Sequence, residues 1–209
     1  MILSVSKQFL FIHIPKCAGE SMAHVLQSYQ PWNLEDYSNE LRPYIEAKHR
    51  LPPHLTYQGA VSMLNVELEP YFKFAFVRNP WERYVSLYTY FKRMERHVMH
   101  ERTSKQSFTQ FIDDVVNKRI LESQYNIDSR SQTDYIEPPH GMREVDFIGR
   151  IERLEEDWAW VCKHLGIEGK LPALNMDKHG PYREYYSQAS AKLVREYCAK
   201  EIELFKYSF

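Results

Sequence analysis

The residues with the clearest chemical potential lie in one short stretch near the N-terminus. Lys16 supplies a full positive charge, Gly19 allows the backbone to turn or to approach a ligand closely, and Ser21 adds a hydroxyl. A helix begins at this point in the pattern, and the free N–H groups and partial positive charge of a helix start attract anions. The stretch therefore predicts a site for a phosphate or sulfate group.

Two elements position this candidate anion site. The run Phe9 to Ile14 is rich in aromatic and β-branched residues, which predicts a buried strand that Pro15 ends. Met22, Val25 and Leu26 then have helical apolar spacing. In the Walker phosphate loop the lysine follows the second glycine, whereas Lys16 precedes Gly19 by three residues, so this loop is of another kind.

A second stretch repeats the pattern of strand, polar turn and helix. Residues 71–77, YFKFAFV, predict a strand, and Arg78 follows directly. Asn79 is a favourable helix cap and Pro80 a favourable first helical residue, so we expect a helix to about Arg93. Two such repeats predict neighbouring parallel strands in an α/β fold, with ligands bound at the carboxyl ends of the strands.

The rest of the chain fits this architecture. We predict helices over 58–68, 108–116 and 152–165, the last ended by Gly166, and a third strand over 145–149. Ser187 is expected to cap one final helix through about Leu204. Residues 41–55 form a loop-rich connection that carries His49 and His54.

Composition limits the classes of function. The chain has 209 residues, which suits a single domain over 1–209, and 44% of them are hydrophobic. A net charge of -1 argues against a surface built for nucleic acid or an anionic membrane. Three separated cysteines predict neither disulfides nor a zinc site. No run suits a signal peptide or a membrane helix, so we expect a cytoplasmic protein without a transmembrane segment.

Taken together, HIPKCAGES at 13–21 and FAFVRNPWERYVSLY at 74–88 resemble the motifs of sulfotransferases that use 3′-phosphoadenosine 5′-phosphosulfate (PAPS). The carbohydrate sulfotransferases of the heparan 2-O- and chondroitin type are the most similar group. The resemblance extends to VDFIGRIERLEEDW at 145–158 and to the C-terminal region. Cys17 departs from the threonine that is more common in the first motif.

The resemblance implies a P-loop-like three-layer fold with a central, mainly parallel sheet flanked by helices. It also implies that PAPS is the co-substrate, that no metal is needed, and that the acceptor is a carbohydrate or another hydroxyl-bearing molecule. The first motif then holds the 5′-phosphosulfate and the second holds the 3′-phosphate. No oligomeric state is predicted.

Residue roles follow from this assignment. Lys16 is expected to neutralise the leaving phosphate oxygen, with donor-binding contacts also expected from Ala18, Gly19, Glu20, Ser21 and Met22. Arg78 can form a bidentate fork on the 3′-phosphate, and Ser86, about two helical turns further on, can add a hydroxyl. Lys178 and Arg183, in a late loop, are candidates to close over the nucleotide.

The base that accepts the acceptor proton has three candidates. His49 is the first choice, because an imidazole titrates near neutrality and related sequences often carry a histidine between the two motifs. His54 and Glu20 are the alternatives. Gln132 is a candidate for a hydrogen bond to the acceptor.

Two other classes of function remain open at this point. One is a kinase or another nucleotide triphosphate enzyme, which the position of Lys16 and the lack of an evident magnesium ligand disfavour. The other is a non-catalytic module that binds nucleotides or sulfated glycans. Such a module would keep the anion loops without needing a base.

Overall fold

The structure is a computed structural model that describes residues 1–30, 33–48, 51–117, 130–137, 145–174 and 179–209. The chain divides into two compact units. The first unit comprises Met1–Val77 and Asp134–Leu174, and the second comprises Arg78–Thr133 and Asn175–Phe209. The single domain expected from the length stays a prediction.

The first unit contains a four-stranded sheet with the order β1-β2-β3-β4, built from β1 (Ile2–Ser4), β2 (Phe9–Ile12), β3 (Phe72–Val77) and β4 (Phe147–Arg150). Strands β2, β3 and β4 are parallel, and β1 pairs with β2 in the antiparallel sense. Every residue of β1 and β2 is buried, which is why these strands are almost wholly apolar. The predicted α/β class with a mainly parallel sheet is confirmed.

The edge strand β1 is absent from the sequence-based prediction, which began the sheet at Phe9. Its three residues are too few to show an alternating pattern. The turn that joins it to β2 places Gln8 in a left-handed conformation, with φ of 47°. Strand β2 ends at Ile12, two residues before the predicted end.

The helices follow in chain order: α1 (Gly19–Leu26), α2 (Arg42–Lys48), α3 (Tyr57–Met63), α4 (Pro80–Arg93), α5 (His100–Ser104), α6 (Phe108–Val116), α7 (Thr133–Ile136), α8 (Leu154–Leu165), α9 (Gln188–Tyr197) and α10 (Ala199–Phe205). Short 3-10 turns lie at Gln27–Tyr29, Leu34–Asp36, Ile151–Arg153 and Tyr182–Tyr185. In the described part of the chain, no helix has the length and apolar character needed to cross a membrane.

The helix boundaries show how local sequence signals act. Helix α4 begins at Pro80, and the Asn79 side chain accepts a hydrogen bond from the N–H of Trp81, as the capping pattern predicts. Helix α6 has the predicted bounds, and Gly166 ends α8 with φ of 59°. The predicted single C-terminal helix is wrong in one respect, because it is interrupted at Cys198 between α9 and α10.

The second unit has its own apolar core around α4. Trp81, Tyr84 and Phe91 on α4 are almost fully buried against residues of α6 and α9. Aromatic side chains from the C-terminal segment pack on the same cluster, as in the edge contact of Phe209 with Trp81. This core holds the N-terminal end of α4 in place, directly after Arg78.

Candidate functional site

The junction between β2 and α1 has an unusual backbone. Lys16 and Ala18 both adopt left-handed conformations, with φ of 65° and 54°. Non-glycine residues seldom do so, because the conformation costs energy for a side chain. Helix α1 then begins at Gly19 without a side-chain cap at Ala18. Alternating backbone conformations of this type direct N–H groups into one concavity, so the junction is suited to binding an anion.

Gly19 packs closely against a side chain of the protein, and its predicted approach to a ligand stays a prediction. The left-handed residues are its neighbours, and Gly19 itself begins the helix. A Cβ atom at Gly19 would overlap the imidazole ring of His13. The close approach therefore joins the helix start to a protein side chain beneath it. His13 in turn stacks on Phe11, with ring centroids 5.9 Å apart.

The other predicted loop residues differ in exposure. Lys16 and Ala18 are partly exposed and Glu20 is exposed, whereas Ser21 and Met22 are buried. The Cys17 side chain is buried too, and its thiol points to the carbonyl oxygen of Pro15 at 3.6 Å. Its side chain is thus part of the loop packing.

His54 lies beside His13 in the same unit. The two rings meet edge to face, with centroids 4.6 Å apart, and Nδ1 of His54 lies 3.2 Å from the carbonyl oxygen of His13. A carbonyl oxygen only accepts hydrogen bonds, so Nδ1 of His54 must be the donor and Nε2 carries the lone pair of the neutral ring. The structure therefore places the His54 imidazole next to the histidine that packs under Gly19.

His13 is held in its neutral form. Burial has the largest effect, followed by His54, the N-terminal amino group and Lys16, and together they hold the pKa of His13 well below its usual value of 6.5. A neutral ring can pack against the start of α1 without placing a buried positive charge near Lys16.

Arg78 is the first residue of the second unit and follows β3 directly. Its side chain is only 13% exposed, and Nη2 lies 3.2 Å from Oε1 of Glu82, one helical turn further on. A largely buried guanidinium has lost most of its hydration, which strengthens its interaction with an anion. This environment is unlike that of a solvated surface ion pair.

The main chain of Arg78 is held by a glutamine side chain. Oε1 of Gln132 accepts a hydrogen bond from the N–H of Arg78 at 2.8 Å, and Nε2 donates one to the carbonyl oxygen of Arg78, also at 2.8 Å. Gln132 is fully buried. The prediction that Gln132 contacts the acceptor is therefore wrong, because its amide is committed to the main chain.

Helix α4 carries two further polar side chains in the interior of the second unit. Ser86 is fully buried within the unit, and its role in donor binding stays a prediction. Arg83 is also fully buried, and Nη1 donates to the carbonyl oxygen of Arg130 at 2.9 Å. The guanidinium of Arg83 thus anchors the segment that precedes Gln132.

The remaining predicted site residues fall into two groups. His49 and Lys178 lie outside the described residues. Arg183 is exposed, and its guanidinium lies over the ring of Tyr182 at 4.8 Å from the centroid. Among the described residues, no three histidine, cysteine or carboxylate side chains group in a way that could hold a metal ion.

Comparison with known proteins decides the family. A family model described as the sulfotransferase family matches residues 1–208. The chain belongs to the sulfotransferase family. This agrees with the resemblance found in the two motifs, although the carbohydrate subtype stays a prediction.

Known proteins that are similar to this sulfotransferase include an archaeal protein and a mouse sulfotransferase. An uncharacterised protein of Archaeoglobus fulgidus is 34% identical over 102 residues, which is 48% of this chain and 72% of that protein. The crystal structure of mouse sulfotransferase SULT7A1 complexed with PAP has a TM-score of 0.59 at 13% identity, and the similarity covers 99% of this chain and 91% of that one. The predicted fold, a P-loop-like α/β fold with a mainly parallel sheet flanked by helices, is confirmed.

Proposed function

We propose that this sulfotransferase uses PAPS as its co-substrate and transfers the sulfuryl group to a hydroxyl of a carbohydrate. The observation that carries the proposal is the junction after β2, where left-handed Lys16 and Ala18 lead into the uncapped start of α1. Such a junction offers main-chain N–H groups and a lysine to one anion. The donor has phosphate groups at two positions of one ribose, and the chain supplies a second anion-binding candidate in Arg78.

We assign the contacts with the donor to the two junctions that follow β2 and β3. The N–H groups of the loop and first turn, from Ala18 to Ser21, would bind the 5′-phosphosulfate, with Lys16 at the leaving oxygen. The predicted contact from Met22 is wrong for its N–H group, which donates instead to the carbonyl oxygen of Ala18 at 3.2 Å. Arg78 would bind the 3′-phosphate, because a guanidinium matches two phosphate oxygens at once. Ser86 and Lys178 are retained as further contributors.

The donor supplies an activated sulfuryl group whose bond to a phosphate oxygen breaks. The chain must then neutralise that oxygen, hold the acceptor hydroxyl in line with the breaking bond, and take the hydroxyl proton as the new oxygen–sulfur bond forms. Lys16 would perform the first task. The transferred group carries less charge than a phosphoryl group, so a lysine and main-chain N–H groups suit this work.

His54 is the base candidate with the strongest support among the described residues. Its Nδ1–H bond to the carbonyl oxygen of His13 leaves the lone pair on Nε2, and His13 contacts Gly19 in the anion loop. His49, the first choice from sequence, and Glu20, which is exposed on the first turn of α1, remain the competing proposals.

The proposal is tested first by calorimetric titration with adenosine 3′,5′-bisphosphate and, separately, with ATP and magnesium. We expect the bisphosphate to bind more tightly, and we expect Arg78→Ala to weaken that binding by about 2 kcal/mol through loss of a charge-assisted fork. Arg195→Ala, which removes an exposed arginine of α9, is the matched control. A preference for ATP with magnesium would favour the kinase alternative.

Turnover separates an enzyme from a non-catalytic binding module. With PAPS and a panel of oligosaccharides and small alcohols, Lys16→Ala should lower kcat by about 100-fold or more, as for other groups that stabilise developing charge. Lys163→Ala, at an exposed position on α8, should leave kcat unchanged. Binding of the bisphosphate without turnover on any acceptor would contradict the enzymatic assignment.

The pH dependence of kcat/KM identifies the base. If His54 is the base, His54→Asn should remove the rise of kcat/KM on the acidic side of the profile and lower the rate by about 100-fold. His49→Asn and Glu20→Gln should then keep that rise. Loss of the rise in either of those two variants instead would assign the base to that residue.

A further inference from the structure

We propose that Gln132 and Glu201 act as positioning residues that fix the main chain of Arg78 for recognition of the 3′-phosphate. This inference rests on the proposed function, because it assigns a purpose to Arg78 as a phosphate ligand. All three residues belong to the second unit. We call the two hydrogen bonds between the Gln132 amide and the Arg78 main chain the Gln132 clamp.

The main chain at Arg78 lies just beyond the last paired residue of β3. Strand pairing extends to Val77, and α4 begins at Pro80, so the N–H and carbonyl groups of Arg78 lie between two hydrogen-bonding systems. The Gln132 clamp satisfies both groups, each at 2.8 Å. A side-chain amide thus replaces the neighbouring strand that would otherwise hold this residue.

A buried glutamate holds the Gln132 clamp. The carboxylate of Glu201, fully buried on α10, accepts hydrogen bonds from the Gln132 main-chain N–H at 2.5 Å and from Gln132 Nε2 at 3.3 Å. The Ser131 hydroxyl donates to the same carboxylate at 2.7 Å. Nε2 of Gln132 donates to two acceptors, the carbonyl oxygen of Arg78 and the carboxylate of Glu201. Only one orientation of the amide allows this, and it directs Oε1 to the N–H of Arg78.

The residues that follow Arg78 are also held in place. Oδ1 of Asn79 accepts a hydrogen bond from the N–H of Trp81 at 3.0 Å, and Nδ2 donates to the carbonyl oxygen of Ser208 at 2.9 Å. Pro80 fixes its own φ angle. The main chain of residues 78–80 is therefore held at each residue, and the ion pair with Glu82 directs the Arg78 guanidinium.

Energetics favour a positioning role over a purely stabilising one. Burying a carboxylate is costly, and an apolar side chain of similar volume often serves packing as well or better. A fully hydrogen-bonded polar network instead defines one geometry, which is valuable where a guanidinium must meet two phosphate oxygens at once. We therefore assign the Glu201–Gln132 pair to the placement of Arg78.

The test measures the preference for a 3′-phosphate, defined as the Kd for adenosine 5′-monophosphate divided by the Kd for adenosine 3′,5′-bisphosphate. We expect Gln132→Met, which keeps the side-chain length but removes the amide, to lower this ratio by about tenfold, towards the ratio of Arg78→Ala. Gln188→Met, at an exposed position on α9, is the matched control and should leave the ratio unchanged.

A general loss of stability would weaken the binding of both ligands by the same factor, so the ratio of their Kd values would not change. Glu201→Gln provides a milder second variant, since it keeps the shape of the side chain, and we expect it to lower the ratio about threefold. In the Arg78→Ala background neither substitution should lower the ratio further, because both act through Arg78.

The outcomes separate the two proposals. A wild-type ratio near one would overturn the assignment of Arg78 to the 3′-phosphate, and with it this inference. A high wild-type ratio that Arg78→Ala lowers, but that Gln132→Met and Glu201→Gln leave intact, would overturn the positioning role and leave the proposed function standing.

Discussion

The junction after β2 and the junction after β3 each lead from a buried strand into a helix, yet they fix their main chains by different means. After β2 the main chain turns through left-handed Lys16 and Ala18 and enters α1 with no side-chain cap. After β3 the conformation is set by side chains, with Asn79 capping α4 and Gln132 holding Arg78.

The difference determines how each junction can bind an anion. A capping side chain occupies N–H groups of the first helical turn, so α4 has already used part of its helix start. No side chain caps the start of α1, so the N–H groups before Met22 are not occupied by a capping residue. We infer that the first junction binds through its main chain and that the second must bind through a side chain, for which Arg78 is placed.

The largest effect is expected from breaking the packing under the first junction. Gly19→Ala would place a Cβ inside the His13 ring, and the resulting overpacking should lower the free energy of unfolding by about 3 kcal/mol. Urea unfolding followed by circular dichroism measures this change.

Gly180→Ala is the matched control, since a Cβ there would meet Glu184 Oε2 at an ordinary 3.6 Å. A Gly19→Ala variant as stable as this control would show that the loop and His13 separate easily. The first junction would then be less rigid than its contacts indicate.

Many of the strands and helix boundaries could be predicted from sequence, because the signals for strands and helix caps come from neighbouring residues. The strand before Arg78, the cap at Asn79 and the start of α4 at Pro80 follow from neighbouring residues alone. The bounds of α6 and the glycine that ends α8 follow in the same way.

The parts that could not be predicted depend on distant or unusual contacts. Gln132 contacts Arg78 across 54 residues of sequence, and no periodic pattern signals such a pair. The left-handed conformation of Lys16 and Ala18 has no glycine or asparagine to indicate it. The role of Gly19 depends on where the His13 ring lies in the folded protein.

A smaller effect is expected from removing the cap at the second junction. Asn79→Ala should lower the free energy of unfolding by about 1 kcal/mol, the usual cost of losing an N-cap. Asn79→Asp keeps the acceptor for the N–H of Trp81 but loses the donor to Ser208, so it should recover most of the loss. If Asn79→Asp is as unstable as Asn79→Ala, the contact with Ser208 is the important one and the capping argument fails.

At the first junction, the substitution Ala18→Gly should change the free energy of unfolding very little. Ala18→Gly relieves about 1 kcal/mol of left-handed strain but gives the unfolded chain more freedom, so the net change should stay within about 0.5 kcal/mol. The Kd for adenosine 3′,5′-bisphosphate should stay within about twofold, because the N–H groups keep their directions. Ala18→Val, with a branched side chain in the same conformation, should be clearly destabilised. Equal stability of the two variants would contradict the left-handed assignment.

At neutral pH the smallest effect is expected from the titration of His13, because its ring is already neutral there. The pKa of His13 is held well below 6.5 in the folded protein, chiefly by burial. As the pH falls below about 6.5, His13 therefore becomes protonated in the unfolded chain while it stays neutral in the folded chain. The free energy of unfolding should therefore decrease between pH 6.5 and pH 5 in the wild type. His13→Phe, which keeps an aromatic ring under Gly19, should weaken that dependence, whereas the exposed His24→Gln should retain it. If the free energy of unfolding of His13→Phe falls with pH as steeply as that of the wild type, other groups cause the acid sensitivity. A neutral imidazole at His13 would then make no contribution to the stability of the first junction.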